Sequence, residues 1–223
     1  GAEALIRWVG ANGKMVSPAE FIPLAEETGL IVQIGQWVVD TACVQLRRWQ
    51  DAPATRHLTI AINVSAKQFR QPDFVAQLGA SITGHGIDAS GLKLELTESV
   101  ILGEVEDTIQ RMQQLRKLGI RFALDDFGTG YSSLSYLRRL PIDQLKIDQS
   151  FIRDMINDAS SQAIVRAILA MSGSLAIEVI AEGVETLSQR DLLLENGCIL
   201  FQGYLFGRPM PLAEWSPNLS AMV

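Results

Sequence analysis

The strongest constraint on how this chain can fold is its rhythm. Short apolar runs rich in branched residues alternate with longer segments of helical period. Residues 2–8, 58–64, 92–97, the run ending at Asp125-Asp126, 144–148, 178–182 and 198–202 read as strands. Helical patterns fill the intervals: 17–49 with a pause at Gly29, then 72–84, 105–118, a short piece at 133–139, 160–174 and 187–195. Ser17-Pro18-Ala19-Glu20 marks a helix start, with Ser17 as N-cap, Pro18 at the first helical position and an acid in the first turn. Strands separated by helices imply parallel β-α units. Seven such strands in 223 residues, with no low-complexity linker, predict one α/β domain over 1–223, a TIM-like (β/α)8 barrel short of one strand. The chain opens on a strand with no initiator Met, so the expectation is a fragment of a longer protein, its first barrel strand lying before Gly1.

Polar residues recur at matching places in these strands. Glu3 lies in the first, Asn63 ends the second and Glu95 falls late in the third. Asp125 and Asp126 end the fourth, Lys146 and Asp148 lie on the fifth, Glu182 ends the sixth and Gln202 the seventh. In a parallel barrel all C-terminal strand ends open onto one face, where active sites are built. A single strand-end acid is usually a helix cap or a solvated charge, but a folding core has no use for carboxylates and amides aimed at one rim from so many strands. Lys146 stands between Leu145 and Ile147 and should point opposite to them, into the barrel, if they pack outward.

Two adjacent carboxylates at a strand exit are costly unless a positive charge stabilises them. The candidate ligands are all oxygen, carboxylates plus the Asn63 amide, which selects a hard cation, Mg2+ or Mn2+, over zinc. Neither His57 nor His85 sits at a strand end, and Cys43 and Cys198 form no Cys-x-x-Cys pair, so zinc and a disulfide framework are not expected and a reducing compartment fits. Two such ions bridged by one carboxylate suit in-line attack on a phosphodiester. The net charge of −6 argues against binding a nucleic-acid duplex. Cations at the acids would make the pocket attractive to a small anion. No apolar run approaches the ~18 residues of a membrane span, so membrane contact by this module is not expected, and a cytoplasmic location is, whether or not a parent protein is tethered.

Asp126-Phe127-Gly128 matches a kinase triplet, but no Gly-rich nucleotide loop accompanies it. The Gly128-Thr129-Gly130 stretch reads instead as a loop whose glycines let Asp126 be repositioned.

Taken in order, Glu3-Ala4-Leu5 with Ile6-Arg7-Trp8, Asn63-Val64-Ser65, Glu95-Leu96-Thr97-Glu98, the Asp125-Asp126-Phe127-Gly128 stretch, Lys146-Ile147-Asp148, Glu182-Gly183-Val184-Glu185 and Gln202-Gly203-Tyr204 resemble the EAL-domain cyclic di-GMP phosphodiesterases. The resemblance implies a metal-dependent enzyme that opens cyclic di-GMP to linear pGpG with two Mg2+ or Mn2+ ions, Ca2+ being inhibitory. By resemblance Glu3, Asn63, Glu95 and Asp125 hold one ion, with Asp125 bridging, and Asp126 and Glu182 hold the second, directly or through water. Lys146 resembles the lysine that orders the attacking water, and Glu98 and Glu185 those that hold the loop after Asp126. Leu5 and Arg7 resemble contacts to guanine and phosphate, and Asp148 and Gln202 count with the substrate-contacting set. The family also implies a homodimer associating through helices near the Asp125-Asp126 loop, and leaves room for an upstream sensory or cyclase module. The competing reading is a non-catalytic cyclic di-GMP receptor, which typically has lost metal ligands or the loop motif.

Overall fold

Seven parallel strands follow one another around the sheet in chain order, so each crossover delivers the next strand to the growing edge. The computed structural model describes residues 1–100, 105–128 and 134–215. Strand β1 (Ala2–Ala4) leads into a hairpin, β2 (Trp8–Val9) and β3 (Met15–Val16), then helices α1 (Pro18–Thr28) and α2 (Leu30–Asp51). Strand β4 (Ile60–Asn63) is followed by α3 (Ala66–Phe69) and α4 (Phe74–His85), β5 (Leu92–Thr97) by α5 (Val105–Lys117), and β6 (Arg121–Phe127) by α6 (Leu134–Leu137). Strand β7 (Gln144–Ile147), α7 (Gln149–Asp154), α8 (Ala159–Ser174), β8 (Glu178–Ala181), α9 (Leu187–Glu195) and β9 (Leu200–Phe201) complete the order. This is the TIM-like α/β architecture expected from the alternation.

The sheet curls back on itself. At the rim the Gln202 amide, just past β9, donates to Glu3 of β1 at 2.6 Å, although β1 and β9 are the two ends of the strand order. Alternate residues of the strands therefore face a barrel interior or the surrounding helices. On β7, Leu145 and Ile147 are fully buried in the apolar layer that also holds Ile152 of α7 and Val165 and Ile168 of α8. Lys146 between them turns inward and reaches acids from non-adjacent strands, which is possible only across the interior. Below it Lys93 donates to Gln144 at 2.8 Å and Gln144 to Glu178 at 2.7 Å, so the barrel axis is polar while the apolar core lies between sheet and helices.

Local chemistry explains most boundaries. Gly29 takes φ 83°, in the left-handed region that glycine enters without a Cβ clash, and breaks the long helical stretch into α1 and α2. The expected element bounds need two corrections. The strand over 2–8 is only three residues long, because the chain turns at Gly10, whose N–H donates to Lys14 O at 2.9 Å, and forms the hairpin. Ser17 sits at the N-cap, with Pro18 opening the helix and Glu20 in its first turn as expected, although the Ser17 hydroxyl makes no capping bond. Helix α7, not anticipated, starts directly after β7 because Asp148 caps it by accepting from the Ser150 N–H at 2.9 Å.

Candidate active site

The site grows from the alternation on the strands. Glu3, Glu95, Asp125 and Lys146 come from β1, β5, β6 and β7, and Glu182 from the exit of β8. Their side chains meet at the C-terminal mouth of the barrel. The Lys146 ammonium, on a residue only 2 % exposed, lies 2.5 Å from Glu95 Oε2, 2.8 Å from Glu182 Oε1, 3.2 Å from Asp125 Oδ1 and 3.7 Å from Glu3 Oε2. Both oxygens of Glu3 are oriented by amides. Asn63 donates to Oε1 at 2.7 Å and Gln202 to Oε2 at 2.6 Å.

Asp125 and Asp126 raise a geometric difficulty that the sequence does not reveal. Consecutive strand residues point to opposite faces, so two neighbouring acids should not share a site. The pairing of β6 with β7 shifts register between Leu124 and Phe127, a bulge at the Asp125-Asp126 pair. Asp126 there adopts φ 53°, a left-handed conformation rare for any residue with a side chain, though less so for Asp than for most. The kink brings ligand oxygens of Asp125, Asp126 and Glu182 within 4.8 Å of one another. Strained backbone of this kind persists only where the surroundings hold it. The Asp126 N–H donates to Asp125 Oδ1 at 3.0 Å, and Glu98 Oε1 accepts from the Gly128 N–H at 2.9 Å.

The electrostatics are unbalanced. One ammonium serves the carboxylates of Glu3, Glu95, Asp125 and Glu182, with Asp126 beside them. Burial pushes the Glu95 carboxyl up to about 8 despite Lys146, with Glu3 and Asp125 adding to the rise. Burial likewise raises Glu182 to about 7, and burial with the neighbouring Asp125 and Asp148 raises Asp126 to about 6. Burial works against the charge on Lys146, but Glu95, Glu182, Asp125 and Glu3 outweigh it and hold its pKa above the ordinary lysine value. A set of hard oxygen donors with excess negative charge, several atoms of which converge within 4.8 Å, fits divalent cations bound through oxygen. It does not fit zinc, for no His or Cys belongs to the group.

The remaining candidates fall into two groups. Asp148 caps α7 through Ser150 and lies against Asp126, so it borders the cluster. Glu98 is buried beside Gly128, its Oε2 without a partner among the described residues. Leu5 is 41 % exposed near the β1 exit, and among the described residues the Arg7 guanidinium donates to Ile6 O, at 2.9 Å. The exposed Glu185 is not drawn in: it precedes the α9 N-cap Thr186, and its carboxylate has no hydrogen bond or ion pair among the described residues. The proposed mobility of Gly128–Gly130 concerns residues 129 and 130, outside the described residues, as is part of the surface expected to form a dimer. Sequence reasoning missed Gln189, whose buried amide ties the loop after Glu182 to α7. The Thr186-x-x-Gln189 spacing of a capping box was the available signal.

Comparison with known proteins points to one family. The model of the family described as EAL domain matches residues 1–209. The chain is 45 % identical over 214 residues to the bifunctional diguanylate cyclase/cyclic di-GMP phosphodiesterase MucR of Pseudomonas aeruginosa, covering 96 % of this chain and 31 % of that protein. It is 44 % identical over 219 residues to the cyclic di-GMP phosphodiesterase NbdA of the same organism, covering 98 % and 28 %. It thus spans about a third or less of these relatives. Among solved structures, the PaMucR phosphodiesterase in complex with c-di-GMP superposes with a TM-score of 0.91 at 45 % identity, over 96 % of this chain and 86 % of that one. No helix among the described residues is long and apolar enough to cross a membrane.

Proposed function

Because the chain belongs to the EAL domain family, matched over residues 1–209, we propose that it hydrolyses one phosphodiester bond of cyclic di-GMP to give linear pGpG. The observation that carries this reading is the convergence on Lys146 of carboxylates from four different strands or strand exits, at the C-terminal mouth of the barrel.

Glu3, Asn63, Glu95 and Asp125 would hold one Mg2+ or Mn2+, and Asp126 and Glu182 a second, with Asp125 between them. Such a pair supplies Lewis acidity, lowering the pKa of an attacking water and stabilising charge on the phosphoryl oxygens. The chain's own work is orientation. Asn63 and Gln202 fix the plane of the Glu3 carboxylate. The β6 bulge, held at Gly128 by Glu98, turns Asp126 toward Asp125. Lys146 stays charged at 2.8 Å from Glu182 and 3.2 Å from Asp125, placed to donate to a water or phosphoryl oxygen between them. At the mouth, Arg7 has no carboxylate partner among the described residues and can meet a substrate phosphate, with Leu5 offering apolar surface to a guanine. Glu185 would join the site only if its exposed carboxylate turned inward on loading.

Incubation with cyclic di-GMP and Mg2+ or Mn2+, followed by chromatography, should yield pGpG; Ca2+ should not support turnover. Glu3→Ala should lower the rate at least hundredfold, since a lost metal ligand removes several kcal/mol of transition-state stabilisation. Tight binding with no product would favour the receptor reading, which the complete acid set opposes. A folded Glu3→Ala protein turning over at the parent rate would overturn the assignment.

A further inference from the structure

Gln189 lies in the first turn of α9, only 6 % exposed, and its amide serves three backbone groups on two separate elements. Its Oε1 accepts from the N–H groups of Glu185 at 2.8 Å and Thr186 at 2.9 Å, and its Nε2 donates to the carbonyl of Ile152 in α7 at 3.2 Å. The partners decide the amide orientation. Flipped, it would set NH2 against two N–H donors and oxygen against a carbonyl. A capping box needs only the reciprocal bonds between Thr186 and Gln189. The bonds to Glu185 and Ile152 are additional, and they stitch the 182–186 exit to α7.

That exit carries Glu182. Its N–H is held by Ile147 O at 3.2 Å, and its carboxylate by Lys146 at 2.8 Å. The next residue, Gly183 at φ 68°, packs so close to α7 that an added Cβ would stand 2.5 Å from Gln149 Cβ. The loop is thus seated on α7 by a close approach at Gly183 and a buried amide at Gln189. The grip of Lys146 on Glu182 is shared with three other acids and must loosen if Glu182 is to ligate a cation. The Gln189 tie is all backbone and independent of that exchange.

We propose that Gln189 is a positioning residue for the metal-dependent site, fixing the Glu182–Glu185 exit against α7 so that Glu182 keeps its ligand geometry when Lys146 releases it. The inference rests on the phosphodiesterase reading given above.

The test compares Mn2+ affinity, read directly from the free-ion electron paramagnetic resonance signal, with melting temperature and steady-state kinetics for the parent, Gln189→Met, Gln189→Glu and Thr186→Val. Gln189→Met loses all three bonds and should weaken Mn2+ binding about 10- to 100-fold, the usual scale for a lost outer-shell partner, with kcat lowered and KM for cyclic di-GMP nearly unchanged. Gln189→Glu keeps both accepted bonds, loses the donation to Ile152 and should fall between; it carries the comparison if the Met variant does not fold. Thr186→Val removes the capping hydroxyl but leaves the tie to α7, so it should lower the melting temperature and leave Mn2+ affinity at the parent value. Parent-like Mn2+ affinity in the folded Gln189 variants, or equal weakening in Thr186→Val, would overturn the inference. A parent protein that binds no Mn2+ would overturn the reading of the site itself, and this inference with it.

Discussion

Replacing Lys146 with Met leaves an unbranched apolar side chain one atom shorter and removes the charge. In the metal-free protein this strands a group of acids, two of them, Glu95 and Glu182, within 2.8 Å of the missing ammonium. Breaking a buried ion pair from one side typically costs about 3–5 kcal/mol. Protonation sets a ceiling for each acid, because a carboxyl of ordinary pKa 4.5 can be neutralised at pH 7 for about 3.4 kcal/mol. Glu95 and Glu182, already raised to about 8 and 7 and so partly protonated in the parent at pH 7, are the acids that would complete their protonation first. A loss of about 3–5 kcal/mol in a domain of this size corresponds to a melting temperature lower by roughly 6–20 °C. Thermal unfolding in EDTA reads this loss. The deficit should shrink when pH is lowered from 8 to 5, as protons replace the lysine, and when Mg2+ is added, as divalent charge replaces it. Activity should fall by orders of magnitude even with Mg2+ present. A variant that melts within a degree or two of the parent in EDTA at pH 7 would refute the claim that Lys146 is the counter-charge of this cluster.

Two further outcomes follow from the same geometry. In EDTA the parent should itself lose stability as pH rises from about 5 to 8. Glu95, Glu182 and Asp126 have folded pKa values raised to about 8, 7 and 6, so the folded state keeps protons that the unfolded chain releases. Saturating Mg2+ should flatten that decline, and a melting profile that rises with pH in EDTA would count against it. Gly183→Ala forces a Cβ to 2.5 Å from Gln149 Cβ at φ 68°, costing about 1–3 kcal/mol and displacing Glu182. Its kcat should drop more than Gly173→Ala, where nothing lies within 4 Å of the new methyl group, and equal rates for the two would contradict the close seating on α7.

The fold was legible because the chain's two periods are clean. Every expected strand is found within a few residues of its predicted place, since a parallel strand buried on its helix-facing side reads as an apolar run. The errors have local causes: the hairpin after β1 depends on a turn whose strands are only two residues long, and α7 on a cap, Asp148, that also lies against Asp126. The acids could be named from their positions at strand ends, but three aspects of the site could not. That Asp125 and Asp126 converge depends on a bulge, which no side-chain pattern announces. That Lys146 touches four acids depends on how far the sheet curls. That Gln189 ties the Glu182–Glu185 exit to α7 depends on the first turn of α9 reaching the Ile152 carbonyl, a tertiary fact invisible in a capping motif.

The bond between Gln202 and Glu3 spans 199 positions of sequence. Glu3 therefore cannot acquire its final orientation until β9 has been synthesised and has swung round toward β1. A growing chain lacking β9 would carry every acid of the site and still present Glu3 with one oxygen unheld. Contacts of such long range are also slow to form, because a large loop must close before they contribute. Competence for chemistry in this protein should accordingly be among the last properties to arrive during folding, and the first to vanish when either edge of the sheet frays.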